Sequence, residues 1–307
     1  MIRVGIVGLG AMGQHHVRVY SELNCKIVGL VDVDDVRARQ MAEKFGTDCY
    51  ADYHELIGKV DAVSLAIPTS LHSAVACEFL QQGVHCLVEK PIASNLSEAM
   101  KMSEAANHTH TKLMVGHIER FNPAVMKLKA LIEQGLLGRV VLISTRRVGP
   151  FVPRIQDVGI VLDSAIHDID IVRYLMDRDP VFIYSKAGRK VNRTQDSAMI
   201  VLDFEDAAAS VEVNWLTPVK VRTLVATGSE ATCHLDYIKQ ELELFSKSGN
   251  RQVEVIKGEP LKIEIQHFLN CIENNISPLV DARAGIKALE VATLAAAGDG
   301  QRVSFAG

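Results

Sequence analysis

A glycine-rich turn near the N-terminus constrains the fold of this 307-residue chain more than any other feature. An apolar, mostly β-branched run at residues 4–7 is typical of a buried parallel strand. Gly8, Gly10 and Gly13 follow in the spacing G-x-G-x-x-G, and a helical stretch comes next. These glycines allow, in order, a tight turn, close approach of a pyrophosphate and close packing of the helix on the strand. Since the free N–H groups of a helix N-terminus attract phosphate, the stretch predicts a dinucleotide site.

The residue that ends the next strand indicates which dinucleotide binds. Residues 26–31 form an apolar strand, and Asp32 ends it, 19 positions after Gly13. A carboxylate there accepts hydrogen bonds from ribose hydroxyl groups and repels a 2′-phosphate, and the next cationic side chain is Arg37. We therefore predict NAD rather than NADP. The alternative is that Asp32 only caps the helix that begins near Asp34.

Strands and helices alternate six times in the first part of the chain, which is the pattern of a doubly wound parallel sheet. Ligands bind at the carboxyl edge of such a sheet. A lysine at the end of the fifth strand, Lys90, lies where the nicotinamide is expected, and Pro91 makes a cis peptide accessible. For His72, an ordinary position on a helix surface remains the alternative. The predicted cofactor-binding residues are Gly8, Gly10, Ala11, Met12, Gly13, Asp32, Ala66, Pro68, Thr69, His72, Glu89 and Lys90.

From residue 120 the pattern changes to strands in which apolar and polar residues alternate. Residues 211–215 and 219–225 both show this period of two, which favours antiparallel strands with one covered face. We predict an α/β fold with a doubly wound Rossmann domain over residues 1–119. Residues 120–307 are expected to form an α+β domain with a large, mostly antiparallel open sheet. Because an open apolar sheet face usually finds a partner, we expect a homodimer or homotetramer through this sheet.

Composition narrows the class of protein. Hydrophobic residues make up 48% and charged residues 23%, as in soluble globular proteins. The net charge of −4 gives no general attraction to nucleic acid or anionic membranes, and no apolar run is long enough for a transmembrane span. The chain enters its first strand at once, so we expect no signal peptide. Six cysteines without a C-x-x-C pair favour reduced thiols in the cytoplasm and no zinc site.

Neighbouring histidines in the first helix raise the question of a metal. His15 and His16 point about 100° apart on a helix, so they cannot easily bind one ion together. We therefore expect them to pack or to contact solvent, and we predict no metal site.

A helix in the second half carries a possible acid–base group. Asp163, His167 and Asp170 have the spacing i, i+4, i+7 and share one helix face. An imidazole, whose ordinary pKa is about 6.5, is a suitable base near neutral pH. A plain amphipathic helix also has a polar face, so a solvated face remains the alternative from this helix alone.

Together, the glycine turn, Glu89-Lys90-Pro91 and Asp163-x-x-x-His167-x-x-Asp170 resemble the glucose–fructose oxidoreductase/inositol dehydrogenase family over nearly the whole chain. The resemblance implies oxidation or reduction of a hydroxyl group of a sugar, polyol or sugar nucleotide. It also implies that Lys90, Asp163 and His167 are catalytic. We expect His167 to be the base, Lys90 to stabilise the alkoxide and Asp163 to orient the imidazole or a neighbouring hydroxyl. Ser164 departs from the family, whose members often have Leu or Gly there.

Two further stretches, residues 116–125 and 154–159, resemble the subgroup that oxidises UDP-N-acetylglucosamine at C3 with NAD. Four arginines, including Arg146, fall near the predicted domain junction, and guanidinium groups bind diphosphate bidentately. The alternative for each arginine is an ion pair with an acid such as Glu119 or Asp157. The predicted substrate-binding residues are His117, Arg120, Asn122, Arg147, Arg154, Asp163 and His167.

These features lead to three functional hypotheses. The first is an NAD-dependent dehydrogenase of the 3-hydroxyl group of UDP-N-acetylglucosamine. The second is an NAD(P)-dependent dehydrogenase of free inositol or another monosaccharide, which would not need the arginines. The third is a dinucleotide-binding redox sensor without catalytic activity, because a fold alone does not determine function.

Overall fold

In the computed structural model, residues 1–151, 159–192 and 194–305 are described. The chain divides into two compact units, Met1–Ile118 with Leu261–Ile286, and Glu119–Pro260 with Lys287–Gly307. The predicted domains, 1–119 and 120–307, differ because residues 261–286 group with the first unit. Backbone hydrogen bonding explains this grouping, since Val115 N donates to Val280 O at 3.0 Å. Within these ranges, no helix combines the length and the apolar character needed to cross a membrane.

The strands and helices are numbered in chain order. The strands are β1 (Ile2–Val7), β2 (Cys25–Val31), β3 (Asp48–Tyr50), β4 (Ala62–Leu65), β5 (His85–Glu89), β6 (Leu113–Gly116), β7 (Val140–Pro150), β8 (Phe182–Gly188), β9 (Ser197–Asp203), β10 (Ala208–Asn214), β11 (Leu216–Gly228), β12 (Ala231–Asp236), β13 (Glu241–Ser246), β14 (Gly249–Val253) and β15 (Asp299–Ser304). The α-helices are α1 (Ala11–Ser21), α2 (Asp35–Phe45), α3 (Thr69–Gln81), α4 (Leu96–Thr109), α5 (Pro123–Glu133), α6 (Ile166–Met176), α7 (Pro260–Glu273) and α8 (Ala282–Ala297).

The first unit is a parallel sheet in the spatial order β3-β2-β1-β4-β5-β6. All residues of β4 and β6 are buried, as expected for strands covered on both faces. Local signals set the helix ends: Asp34 and Asn95 accept hydrogen bonds at the starts of α2 and α4, and Gly46 ends α2 with φ +64°. The predicted doubly wound sheet is confirmed.

The second unit has a nine-stranded sheet in the order β14-β13-β12-β11-β7-β10-β9-β8-β15. Only the β7–β10 pair is parallel among the described strand pairs of this sheet. The prediction of a large, mostly antiparallel sheet is therefore confirmed. Buried side chains of α5, α6 and the later part of α8 form one core with one face of the sheet. The opposite face of the sheet, which we call the open face, is not part of this core.

The two stretches with alternating residues place their apolar residues on different faces. Val211 and Val213 are buried, as expected for the covered face of β10. In β11, however, Leu224 and Ala226 are the buried residues, whereas Val219 is 62% exposed. Periodicity identified both strands, but it could not show which face of β11 the helices cover.

The helix that carries Asp163 and His167 begins differently from the regular helix that we predicted. Residues Val161–Ala165 form a π-helical turn, and α6 follows directly at Ile166. A π turn contains an extra residue, so it rotates Asp163 relative to the regular spacing of α6. Such turns are frequent at functional sites.

Candidate active site

The glycine turn of the first unit has the backbone geometry that a dinucleotide requires. Gly8 has φ +88°, and a β-carbon there would lie 2.5 Å from Ala66 O. A β-carbon on Gly13 would lie 1.8 Å from Gly8 O, whereas one on Gly10 would meet no atom within 4 Å. No side chain caps the start of α1 at Gly10. The turn therefore leaves space and an uncapped helix N-terminus for a pyrophosphate, so these residues fit the cofactor.

Asp32 is held beside this turn. Its carboxylate is largely buried and accepts hydrogen bonds from Leu9 N at 2.6 Å and from Asp34 N at 2.8 Å. The guanidinium of Arg37 lies 3.4 Å from both carboxylate oxygens. The cap of α2 is Asp34, whose side chain accepts from Arg37 N at 3.0 Å. Asp34 thus caps α2, and Asp32 directly follows β2, where the cofactor prediction requires a carboxylate.

His72 lies inside the unit and not on a helix surface. It is only 1% exposed, and its ring nitrogens lie 2.9 Å from Pro91 O and 3.0 Å from Ile67 O. Burial lowers the pKa of His72 in spite of these two carbonyl groups. A neutral ring donates to only one of them at a time. His72 therefore braces the turn after Lys90, where the Lys90–Pro91 peptide is cis.

A chain of hydrogen bonds, which we call the His16 chain, reaches the same turn from α1. Tyr20 Oη lies 2.9 Å from Ser64 Oγ, which lies 3.2 Å from His16 Nδ1. His16 Nε2 lies 3.1 Å from Glu89 Oε1, and Lys90 N donates to Glu89 Oε2 at 3.3 Å. Simple packing or solvent contact, which we expected for His16, therefore does not describe its environment.

Glu264 of α7 is a buried carboxyl group close to the His16 chain. It is 0% exposed, and neither carboxyl oxygen has a hydrogen-bond partner among the described residues. Burial, and after it the negative charge of Glu89, raises the pKa of Glu264 well above its ordinary value of 4.5. The folded protein accordingly favours the protonated, uncharged form of Glu264.

In the second unit, Asp163 lies on the π turn and His167 lies at the start of α6. Ser164 Oγ donates to Asp163 Oδ2 at 2.7 Å, so the residue that departs from the family contacts the proposed catalytic carboxylate directly. Asp170 does not share their environment: it is 1% exposed, and Arg120 donates to its two oxygens at 2.8 and 2.6 Å.

Arg147 is also committed to carboxylates. Its Nε donates to Asp168 Oδ2 at 2.6 Å, and its Nη1 donates to Glu119 Oε1 at 2.9 Å. Burial raises the pKa of Asp168, and the charge of Arg147 opposes this shift. For Arg120 and Arg147, the structure thus shows the ion pairs that were the alternative to substrate binding. Arg146, the residue before Arg147 in β7, points to the open face and pairs with Glu212 at 3.0 Å.

The remaining predicted substrate residues have separate positions. Asn122 caps α5 by accepting from Ala124 N at 3.1 Å, and it donates to Tyr237 O at 3.1 Å. His117 is buried in the first unit. Arg154 lies outside the described residues.

Two cations of β11, Lys220 and Arg222, were not predicted from the sequence as site residues. Arg222 lies directly opposite Arg147 in the β7–β11 register, and its Nη1 lies 3.8 Å from Glu119 Oε1. Burial and the charge of Arg147 lower the pKa of Arg222, while Glu119, Asp168 and Asp163 act in the opposite direction. The charge of Arg222, followed by burial, lowers the pKa of Lys220. The signal in the sequence was the i, i+2 spacing of two cations in an otherwise uncharged strand.

The parallel sheet and the glycine turn place this protein among the oxidoreductases that bind nicotinamide dinucleotides. Residues 2–117 match the oxidoreductase family with an NAD-binding Rossmann fold, and residues 125–234 match the GFO/IDH/MocA C-terminal domain. The chain therefore belongs to the GFO/IDH/MocA family, which confirms the resemblance. It is an NAD-dependent oxidoreductase that acts on CH–OH groups.

Relatives with different substrates are similarly close. UDP-N-acetylglucosamine 3-dehydrogenase of Acidithiobacillus ferrooxidans is 28% identical over 95% of both chains. Its solved structure covers 97% of this chain and 98% of its own with a TM-score of 0.91. Myo-inositol 2-dehydrogenase of Thermotoga maritima is 31% identical over 94% of this chain and 93% of its own. This chain is accordingly a sugar or polyol dehydrogenase.

We predict that Arg147→Met destabilises the protein by about 3–5 kcal/mol, because it leaves the buried Asp168 without its hydrogen-bonded cation and removes the closer of two arginines from Glu119. Arg146→Met is the matched control, since its partly exposed ion pair contributes about 1 kcal/mol or less. Urea unfolding of the variants measures both changes. Equal losses of stability in the two variants would contradict the structural role of Arg147.

We predict that Glu264→Gln stabilises the protein increasingly as the pH rises. The unfolded carboxyl ionises near its ordinary pKa of 4.5, whereas the raised pKa keeps the folded carboxyl protonated. Above about pH 4.5 the folded state therefore binds more protons, and stability falls with rising pH. Tm should favour the variant at pH 8 and converge toward pH 4. Glu273→Gln, on the exposed face of the same helix, is the control, and a pH-independent difference for Glu264→Gln would refute the prediction.

Proposed function

We propose that this protein oxidises the 3-hydroxyl group of UDP-N-acetylglucosamine with NAD, which gives the 3-keto sugar nucleotide. The observation that carries this proposal is the cation pair Lys220 and Arg222: both lie within electrostatic reach of Arg147, and Arg222 also lies within reach of Asp163. Like charges close together are unfavourable unless an anion offsets them. A diphosphate supplies such an anion, whereas a free polyol does not.

The catalytic roles follow from the chemistry of each side chain. His167 takes the proton of the substrate hydroxyl group, and Lys90 stabilises the alkoxide that develops. Asp163, whose carboxylate is oriented by Ser164, orients the imidazole or a neighbouring substrate hydroxyl group. The glycine turn and Asp32 would hold NAD, which would supply the acceptor for the hydride. Arg120 and Arg147 act through Asp170 and Asp168, which follow His167 on α6, and they do not contact the diphosphate in this proposal.

Inositol or another monosaccharide is the second candidate substrate, favoured by the similarity to inositol dehydrogenases. The hypothesis of a non-catalytic redox sensor loses its support because the relatives that span nearly all of this chain are named dehydrogenases.

We predict turnover of UDP-N-acetylglucosamine with NAD, measured as NADH absorbance and coupled to a 3-aminotransferase with glutamate. The coupling draws off the keto product, whose formation is otherwise unfavourable. Lys90→Ala and His167→Ala should lose turnover but retain NAD binding, because neither residue is needed for the glycine turn. Normal turnover in both variants would show that the site is assigned wrongly.

Two charge-removing variants decide between the substrates. Lys220→Met and Arg222→Met should raise KM for UDP-N-acetylglucosamine by about tenfold or more, the effect of losing a charged hydrogen bond. UDP alone should compete with the substrate. Lys239→Met, which removes an exposed cation from the turn after β12, is the matched control. Turnover of inositol without inhibition by UDP would refute the sugar-nucleotide proposal.

We also propose that the protein forms a homodimer or homotetramer through the open face of its large sheet. One row across five neighbouring strands of this face is uncharged. The row runs through Val225, Ser144, Ser210, Val201 and Tyr184, which are register partners. An uncharged row on an open sheet is suited to pairing with a second copy.

For this interface, Val201→Lys combined with Val225→Lys should convert the oligomer to a monomer, because each copy then presents like charges to the other. Size-exclusion chromatography with light scattering measures the mass. Ile238→Lys, at an exposed position outside the sheet, should leave the oligomer intact. A monomeric wild-type protein would exclude this interface.

The cytoplasm is the compartment that we propose. All six cysteines lie in the described part of the chain and are unpaired, which suits a reducing compartment. Cell fractionation tests this assignment, and recovery from an oxidising compartment would refute it.

A further inference from the structure

His16 is a buried histidine that the proposed chemistry does not use. Many buried histidines only satisfy their ring nitrogens within a core, and the bond to Ser64 is of this kind. The second bond is different, because His16 Nε2 lies 3.1 Å from the carboxylate of Glu89, the residue directly before Lys90. His15, its neighbour on α1, is exposed and has no comparable position.

The Glu89 carboxylate is confined on other sides as well. Glu89 and Gly116 are register partners in β5 and β6. A β-carbon on Gly116 would lie 3.2 Å from Glu89 Oε1, so the glycine leaves just enough space for the carboxylate. The other oxygen, Oε2, accepts from Lys90 N at 3.3 Å. His16 and Gly116 therefore determine where Glu89 meets the backbone of Lys90.

The charges around Glu89 favour its ionised form. Burial by itself raises the pKa of Glu89, but the hydrogen bond and charge of His16 and the charge of Lys90 outweigh burial and lower it. The other titratable groups that face it are His72 of α3 and Glu264 of α7, whose pKa is raised. Glu89 is thus an ionised carboxylate beside Lys90, held by a histidine of another element.

We propose that His16 is a positioning residue for Lys90. Through the Glu89 carboxylate, His16 fixes the backbone at Lys90 and the negative charge that faces its ammonium group. This inference rests on the proposed role of Lys90 as the group that stabilises the alkoxide. His16 itself touches neither substrate nor cofactor in this proposal.

The test compares His16→Leu with His16→Gln. Leucine removes the bond to Glu89, whereas the amide N–H of glutamine can replace Nε2–H. We expect kcat of His16→Leu to fall on the order of tenfold to a hundredfold, with KM and the Kd for NAD unchanged. His16→Gln should recover most of the activity. The acid limb of the pH–rate profile should move to higher pH in His16→Leu only, because the pKa of Glu89 rises when its hydrogen bond is lost.

His15→Leu is the matched control, because it changes the adjacent exposed histidine of the same helix. It should retain the kcat and pH profile of the wild type. If His16→Leu behaves like His15→Leu, the inference is wrong. A second result would also contradict the inference. In that result His16→Leu has a lower kcat, a weaker affinity for NAD and a lower Tm, and His16→Gln restores none of the three. His16 would then have only a structural role.

A measurement without substrate separates this inference from the proposed function. The acetylation rate of Lys90 by acetic anhydride, measured by mass spectrometry relative to exposed Lys101, should rise in His16→Leu and not in His15→Leu. If the acetylation rate of Lys90 rises in this way but the wild-type protein does not turn over UDP-N-acetylglucosamine, the positioning role is supported and the proposed function is refuted. Unchanged Lys90 reactivity would refute the positioning role. If His16→Leu does not fold, Glu89→Gln is the substitute, because it keeps the shape of the side chain but removes its charge. It should show the same rise in the acetylation rate of Lys90.

Discussion

The contact between the glycine turn and the end of β4 is the constraint on which the rest of the first unit depends. Gly13 approaches Gly8 O so closely that a β-carbon would lie 1.8 Å from it, and Gly8 is similarly close to Ala66. This approach sets where α1 begins. Since His16 lies one turn into α1, the same contact places its ring between Ser64 and Glu89. The backbone geometry that admits a pyrophosphate therefore also orients the turn that carries Lys90.

The second unit positions its functional helix by charge instead of backbone contact. Arg147 and Arg120 bind Asp168 and Asp170, which follow His167 on α6. Buried ion pairs are a costly way to stabilise a fold, because desolvation can exceed the attraction between the charges. The geometry of these ion pairs has a different consequence, because each planar guanidinium group binds its carboxylate in one orientation. Arg147 of β7 and Arg120, which precedes α5, together define the rotation of α6 about its axis and therefore the direction of the His167 side chain.

Sequence periodicity and motif spacing sufficed for the architecture of both sheets. Other features depend on partners that lie far apart along the chain. The charge of Arg147 is visible in the sequence, but its contacts with Asp168 and Glu119 are not. The same limit applies to the covered face of β11 and to the π turn at Asp163, because both are determined by packing.

Overall similarity cannot select the substrate, because relatives that act on a sugar nucleotide and on inositol are 28% and 31% identical to this chain. The argument must come from local charge. Arg147 already has its carboxylates, and Arg222 lies directly across the strand pair with only a 3.8 Å contact to the shared Glu119. Lys220 adds a third cation, and the charge of Arg222, followed by burial, lowers its pKa, while Glu119 acts in the opposite direction. A diphosphate would place negative charge beside these cations, whereas a neutral polyol would not. The three neighbouring cations are thus a reason to expect an anionic substrate.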